Sequence, residues 1–113
     1  MILKTLTVKL TGPLWKLDAV EAENIDVSGQ WKDDDSGGSV TMKDVILSDD
    51  NVLDVFIALG APNRTRYIVD ITGETKEQSP KKLNYSEDFV VIKNGKLKII
   101  ISKTLNELIN GQI

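Results

Sequence analysis

Apolar and polar residues alternate with a period of two at the start of this 113-residue chain. The apolar residues that share one parity are Ile2, Leu6, Val8 and Leu10. Threonines and lysines occupy most of the other parity, which is typical of a β-strand with one buried face. The pattern predicts a first strand that ends at Gly12-Pro13, because proline cannot donate to a strand ladder.

Further strand patterns follow at residues 14–22, 25–31, 40–47 and 66–72. The 40–47 pattern changes parity after Lys43-Asp44, which predicts a bulge there. The strongest local signal lies near the C-terminus, where Asn94-Gly95 separates the runs EDFVVIK and KLKIIIS. Because Asn-Gly favours a type I′ turn, the sequence predicts a β-hairpin between these runs.

Two segments carry helical signals. Asp49 or Asp50 can cap a helix that Gly60 ends, with apolar residues at the i, i+3, i+4 and i+7 positions Val52, Val55, Phe56 and Leu59. Residues 103–110 predict a short C-terminal helix, capped by Ser102 or Thr104, with Leu105, Leu108 and Ile109 on one side. The predicted fold is a β-rich α+β domain spanning residues 1–113. It has a mostly antiparallel sheet of about six to seven strands, a helix near 50–60 and a short C-terminal helix.

The composition excludes several kinds of chemistry. The chain contains no cysteine and no histidine, so it has no disulfide, no thiolate nucleophile and no histidine base. It contains none of the G-x-S-x-G, P-loop or G-x-G-x-x-G motifs. Neither a signal peptide nor an apolar run of membrane-spanning length is recognisable, which predicts a soluble, cytoplasmic protein. We predict no catalytic residue, no metal site and no cofactor.

Two alternatives rest on carboxylates. Asp44 and Asp70 lie among apolar strand residues, and either one in a pocket would indicate a small carboxylate-dependent enzyme or ligand-binding domain. The segment from Asp33 to Asp44 partly matches a calcium-binding EF-hand loop. In that match Gly37 replaces an oxygen ligand, so an acidic turn without a metal is the favoured interpretation.

Charge is distributed unevenly along the chain. Residues 18–54 contain eleven acids against two lysines, a net charge of −9, whereas the rest of the chain is positive. An acidic face would repel nucleic acid and favour a basic partner, but solvated loops and strand faces are the favoured explanation.

The predicted contact surface for a protein partner comprises Trp15, Trp31, Asp33, Asp34 and Asp35. It combines large aromatic side chains with charges that steer association, although both tryptophans would also suit a core. The lysines from Lys93 to Lys98 form a second candidate surface. The chain is therefore expected to be a non-enzymatic protein-binding or assembly module that binds a protein partner or self-associates, with no membrane or nucleic-acid role.

Overall fold

The computed structural model describes residues 1–13, 16–62, 64–90 and 95–109. These residues form nine β-strands, one turn of 3₁₀ helix and one short α-helix. The elements are β1 (Ile2–Thr11), β2 (Lys16–Ala22), β3 (Ile25–Asp26), the 3₁₀ turn (Ser28–Gln30), β4 (Lys32–Asp34), β5 (Gly37–Ile46), β6 (Val52–Gly60), β7 (Arg66–Thr75), β8 (Lys82–Val90), β9 (Lys96–Thr104) and α1 (Leu105–Ile109).

The strands form two sheets in which every neighbouring pair is antiparallel. Sheet A has the order β4-β5-β1-β7-β8, and sheet B has the order β3-β2-β6-β9. Buried side chains from both sheets form one hydrophobic cluster. The two sheets therefore pack face to face as a β-sandwich, with the alternate inward side chains of each strand between them.

The helix predicted near residues 50–60 is wrong, because this segment is the strand β6. Every second residue from Leu53 to Leu59 is buried, and the residues between them are partly exposed or exposed. Strand β6 lies between β2 and β9, so both sides of its backbone have ladder partners. The predicted β-rich, mostly antiparallel architecture is confirmed. The α+β label and the count of six to seven strands are replaced by a mostly β fold with nine described strands.

The hairpin predicted around Asn94-Gly95 is also wrong. Strand β8 pairs with β7 at the edge of sheet A, whereas β9 pairs with β6 at the edge of sheet B. Residues 91–94 lie outside the described residues, but the strands on either side of them belong to different sheets. The described parts of the two predicted hairpin strands therefore do not pair with each other.

Strand β1 is confirmed, but its buried face changes near its start. Leu3 is fully buried and Ile2 is 37% exposed, which reverses the predicted parity at these two positions. The register between β1 and β7 shifts between Leu3 and Thr5, so a bulge at Lys4 turns the preceding side chains to the opposite face.

The remaining strand predictions are confirmed in part. Strands β5 and β7 lie where residues 40–47 and 66–72 predict them, and β2 accounts for the described part of 14–22. Of residues 25–31, only Ile25–Asp26 is a strand. The Asp26 carboxylate accepts a hydrogen bond from the Ser28 N–H at 2.9 Å, and this bond turns the chain into the 3₁₀ helix.

The predicted C-terminal helix is confirmed as α1. Thr104 and Glu107 cap it reciprocally: the Thr104 N–H donates to the Glu107 carboxylate at 3.0 Å, and the Glu107 N–H donates to the Thr104 hydroxyl at 3.3 Å. Leu105 and Leu108 are buried, and α1 packs against β8 and β9. The helix thus closes one side of the sandwich, between the edge strands of the two sheets.

Tyr85 on β8 makes the unfolding free energy depend on pH in the alkaline range. Burial, together with a hydrogen bond to the Glu87 carboxylate, raises the pKa of Tyr85 to about 12. A tyrosine in the unfolded chain titrates near 10, so the folded state binds this proton more tightly. The stabilisation is complete below about pH 10 and is lost as the pH rises towards 12.

We therefore expect the wild type to lose about 2 kcal/mol more unfolding free energy than Tyr85→Phe between about pH 9 and pH 11.5. Chemical denaturation of both proteins at the two pH values measures this difference. Equal losses in the two proteins would contradict the assignment to Tyr85.

Candidate protein-binding groove

An apolar groove opens between the two sheets on the side of the sandwich opposite α1. Sheet B contributes the end of β2, β3 and the 3₁₀ turn, and sheet A contributes residues 42–46 of β5. The groove has a volume of about 410 Å³. That is the lower part of the range typical of sites for small ligands or for a few peptide side chains.

The groove is buried at its base and exposed at its rim. Ala22, Val27 and Met42 line it and are buried. Ile25 and Ile46 also line it, but they are 65% and 69% exposed. Full burial of an isoleucine gains about 1.5–3 kcal/mol, so the rim carries apolar surface that the fold leaves unused.

A tight turn holds the wall that sheet B provides. Glu23 and Asn24 connect β2 to β3 with φ values of 51° and 64°, the left-handed pair that a two-residue hairpin turn requires. The Glu23 N–H donates to the Asp54 carbonyl at 2.9 Å, and the Asp54 N–H donates to the Glu23 carboxylate at 2.9 Å. These two bonds fix the turn to the central strand β6.

Asp44 shapes the wall that sheet A provides. Its φ of 54° is left-handed, and it lies across from the bulge at Lys4 on β1. Before Asp44 the even-numbered Met42 is buried, whereas after it the odd-numbered Leu47 is buried. This confirms the predicted change of parity. The Asp44 carboxylate is paired with Lys76 at 3.2 Å and remains exposed at the rim.

Strand β5 has an open edge beside the groove. Strand β4 pairs with β5 only at residues 37–39. From Val40 to Ile46 no described strand pairs with that side of β5. An unpaired strand edge offers N–H and C=O groups to an added strand, so the groove lies next to unused backbone hydrogen-bonding groups.

The structure places two of the predicted contact residues together. Trp31 is partly buried against the hydrophobic cluster, and its indole N–H donates to the Asp33 carboxylate at 2.8 Å. A Cβ on Gly38 would lie 2.4 Å from the indole nitrogen, so the ring lies over the bare backbone of β5. Trp31 thus covers the end of the core. Trp15, the other predicted aromatic contact, lies outside the described residues.

The other two predicted acids lie at the β4–β5 turn. The Ser36 N–H and hydroxyl donate to Asp34 at 2.7 and 2.9 Å, and these bonds hold the pKa of the Asp34 carboxyl below its usual value. Asp35 is exposed in the turn beside it. Within the part of the chain that the structure describes, no three acidic side chains converge to hold a metal ion.

The two carboxylates of the enzyme alternative occupy different surfaces. Asp44 is 63% exposed at the rim of the groove and paired with Lys76. Asp70 is half-buried on the outer face of sheet A, between its cross-strand neighbours Lys9 and Ser86. The two carboxylates therefore do not form a pair, and each stands apart from the buried base of the groove.

Sequence reasoning missed the two rim isoleucines. Ile25 lies within a run of acids and Ile46 within a strand pattern, so neither is unusual in sequence. The parity change at Lys43-Asp44 is the sequence signal that could have identified Ile46, because it turns this side chain away from the buried face of β5. The placement of β3 and the far end of β5 around one groove had no sequence signal, since it depends on how the sheets stack.

No protein-family model matches the sequence, and no curated protein or solved structure matches it. None of the described helices is long and apolar enough to span a membrane.

Proposed function

We propose that this chain is a non-enzymatic protein-binding module whose groove takes an extended apolar segment of a partner protein. The observation that carries the proposal is that one groove combines two exposed isoleucines with an open strand edge. Apolar surface and unpaired backbone groups are what an added strand buries and satisfies.

The bound segment would form a short strand beside β5. Alternate side chains of a strand point to the same side, so every second residue of the segment would enter the groove. The left-handed Asp44 interrupts the edge, which leaves Val40 to Lys43 as its regular part. Met42 at the base has the flexible side chain that adapts to different apolar groups.

Charge favours a basic segment. The groove is built from residues 22–46, which lie within the stretch of net charge −9. Glu23, Lys43 and Asp44 line the groove, and Lys76 pairs with Asp44 at the rim. The negative field at the groove therefore comes from the acidic stretch as a whole. A partner segment with lysine or arginine next to its apolar residues would be attracted by this field. It would therefore associate faster at low salt.

The carboxylate-dependent alternative receives less support from the same geometry. General acid–base catalysis requires a carboxyl held in a concave site beside a second polar group. Asp44 is exposed and paired with Lys76, and Asp70 lies on an outer sheet face. The proposed site therefore recognises a partner through apolar and backbone contacts.

Selection from a displayed library of random peptides tests the proposal. We expect enrichment of peptides that alternate apolar residues and carry lysine or arginine beside them, with affinity that falls as salt rises. In nuclear magnetic resonance spectra of the labelled protein, the amide signals of residues 22–27 and 41–46 should shift when a selected peptide is added.

The double variant Ile25→Ser with Ile46→Ser should raise the peptide dissociation constant roughly tenfold or more, because it removes apolar surface from the rim. Ile100→Ser is the matched control, since Ile100 is equally exposed but lies on sheet B away from the groove. Equal binding by the wild type and the double variant, or amide shifts confined to another surface, would refute the proposed site.

A further inference from the structure

The outer edge of strand β9 is a second open edge, separate from the groove. Strand β9 ends sheet B, and no described strand pairs with its outer side. Its centre carries no charge from Ile99 to Ser102, and Ile100 is 71% exposed. A regular edge with an exposed isoleucine at its midpoint is a surface for strand pairing.

The hydrogen-bond pattern shows which residues of β9 serve that edge. The Ala61 N–H donates to the Gly95 carbonyl at 2.8 Å, and the Leu105 N–H donates to the Asn51 carbonyl at 2.9 Å. The register between β6 and β9 is unbroken from one end to the other. Since N–H and C=O directions alternate along a strand, the odd-numbered residues bond β6, and Lys96, Lys98, Ile100 and Ser102 present N–H and C=O outwards. The Thr104 N–H also points away from β6, but it donates to the Glu107 carboxylate.

The side chains of those residues form a polarised row on the outer face of sheet B. Lys96 and Lys98 stand at one end, and Ile100 lies opposite Phe56 at the centre. At the other end the hydroxyl groups of Ser102 and Thr104 each donate a hydrogen bond to a carboxylate. The Ser102 hydroxyl donates to Asp54 at 2.7 Å, and the Thr104 hydroxyl donates to Glu107 at 3.0 Å. Glu107 also pairs with Lys103 at 3.9 Å, so Asp54 is the carboxylate at this end that has no ion-pair partner among the described residues. The row therefore runs from basic through apolar to an end that carries Asp54.

We propose that two copies of this chain associate by antiparallel pairing of their β9 edges about a two-fold axis at Ile100. Residue 100 is the midpoint of Lys96–Thr104, so this register aligns the strand with its own copy. Because the Thr104 N–H already bonds Glu107, the outward groups of Lys98, Ile100 and Ser102 carry the new ladder. The outward N–H and C=O of Ile100 meet those of Ile100 of the partner subunit. The two four-stranded sheets become one continuous sheet of eight strands.

The same register makes the charges complementary. Lys98 comes opposite Ser102 of the partner subunit, whose hydroxyl bonds an aspartate, and Lys96 comes opposite Thr104 of the partner subunit, whose hydroxyl bonds a glutamate. A register centred on Lys98 would instead bring like charges together, which is unfavourable across strands. Lysines often protect an edge from pairing, but here antiparallel symmetry takes each lysine away from its counterpart.

Size-exclusion chromatography with light scattering tests the dimer. We expect a mass approaching twice the 12.5 kDa of the chain as concentration rises. Ile100→Lys should raise the dimer dissociation constant by at least about tenfold, because it places like charges at the axis. Ile100→Pro should have the same effect by removing the outward N–H while keeping the bonds to β6. Ile46→Lys is the matched control and should remain dimeric.

Cross-linking tests the register, since the chain has no cysteine of its own. Under oxidising conditions Ile100→Cys should form a disulfide-linked dimer. Lys96→Cys should not, because its two copies would lie about 27 Å apart along the paired strands.

The proposal would be overturned by a wild type that stays monomeric at the highest soluble concentration. It would also be overturned by a folded Ile100→Lys variant that dimerises like the wild type. Cross-linking through a cysteine at residue 98 in preference to residue 100 would contradict the proposed register. Peptide binding in the groove does not depend on any of them, so the two proposals fail separately.

Discussion

Replacing Gly37 with alanine is expected to lower the unfolding free energy by about 3–4 kcal/mol. Gly37 begins β5 with a φ of 148°, a conformation that side chains rarely adopt. A Cβ there would lie 2.0 Å from the Leu10 carbonyl oxygen, an atom of the neighbouring strand that cannot move away without breaking the ladder. Backbone strain and steric overlap therefore act together at this residue.

Gly29→Ala is the matched control for this substitution. Nothing lies within 4 Å of the position that a Cβ on Gly29 would take. The change should alter the unfolding free energy by less than about 1 kcal/mol, and the reduced freedom of the unfolded chain favours a small gain. Denaturant unfolding of the two variants measures both values. Similar stabilities for the two alanine variants would contradict the close packing of β5 against β1.

The strands with clean alternation could be predicted from the sequence because their faces are chemically distinct. In β7, Tyr67, Val69 and Ile71 are all buried as their spacing predicts. The change of face near Lys4 could not be predicted in the same way. Ile2 and Leu3 are both apolar, so composition does not decide which one turns inwards, and the bulge against β7 decides it.

Strand β6 shows why a helical spacing can mislead. Nearly every residue from Val52 to Leu59 is apolar, so both a period of 3.6 and a period of two find matching positions. The β-branched residues Val52, Val55 and Ile57 favour a strand. Partners on both sides then decide the outcome, because β2 and β9 supply ladders that an isolated helix lacks.

The Asn94-Gly95 signal failed for a related reason. An Asn-Gly pair indicates that the chain can reverse its direction, but it does not indicate that the flanking strands pair with each other. Here β8 and β9 find their partners in β7 and β6, which belong to different sheets. Strand β7 is close to β8 in sequence, but β6 is distant from β9, and local patterns do not rank such a distant pairing against a hairpin.

The groove could be predicted even less well than the fold. Its rim residues Ile25 and Ile46 come from different sheets and meet only when the sandwich is assembled. The acidic turn, in contrast, was visible in sequence, and the structure explains its composition locally. Asp34 bonds Ser36 within the turn, and Asp33 accepts the Trp31 indole N–H.

Trp31→Ala is expected to lower the unfolding free energy by about 3 kcal/mol. The indole packs against the hydrophobic cluster and covers Gly38, so its loss opens a cavity at the end of the core. It also removes the donor to Asp33. Strand β4 is held to β5 by only three residue pairs, which makes this hairpin sensitive to the loss.

Charge and packing at this hairpin can be separated by a second variant. Changing Asp33, Asp34 and Asp35 together to asparagine should leave the unfolding free energy nearly unchanged, because exposed charges contribute little and an asparagine oxygen still accepts from Trp31. If the acidic stretch steers a basic partner, the same variant should slow association and weaken its salt dependence. Denaturant unfolding and stopped-flow binding of a selected peptide measure the two effects. A Trp31→Ala protein as stable as the wild type but impaired in binding would instead make Trp31 an interface anchor, and the contact surface would then extend from the groove to the β4–β5 hairpin.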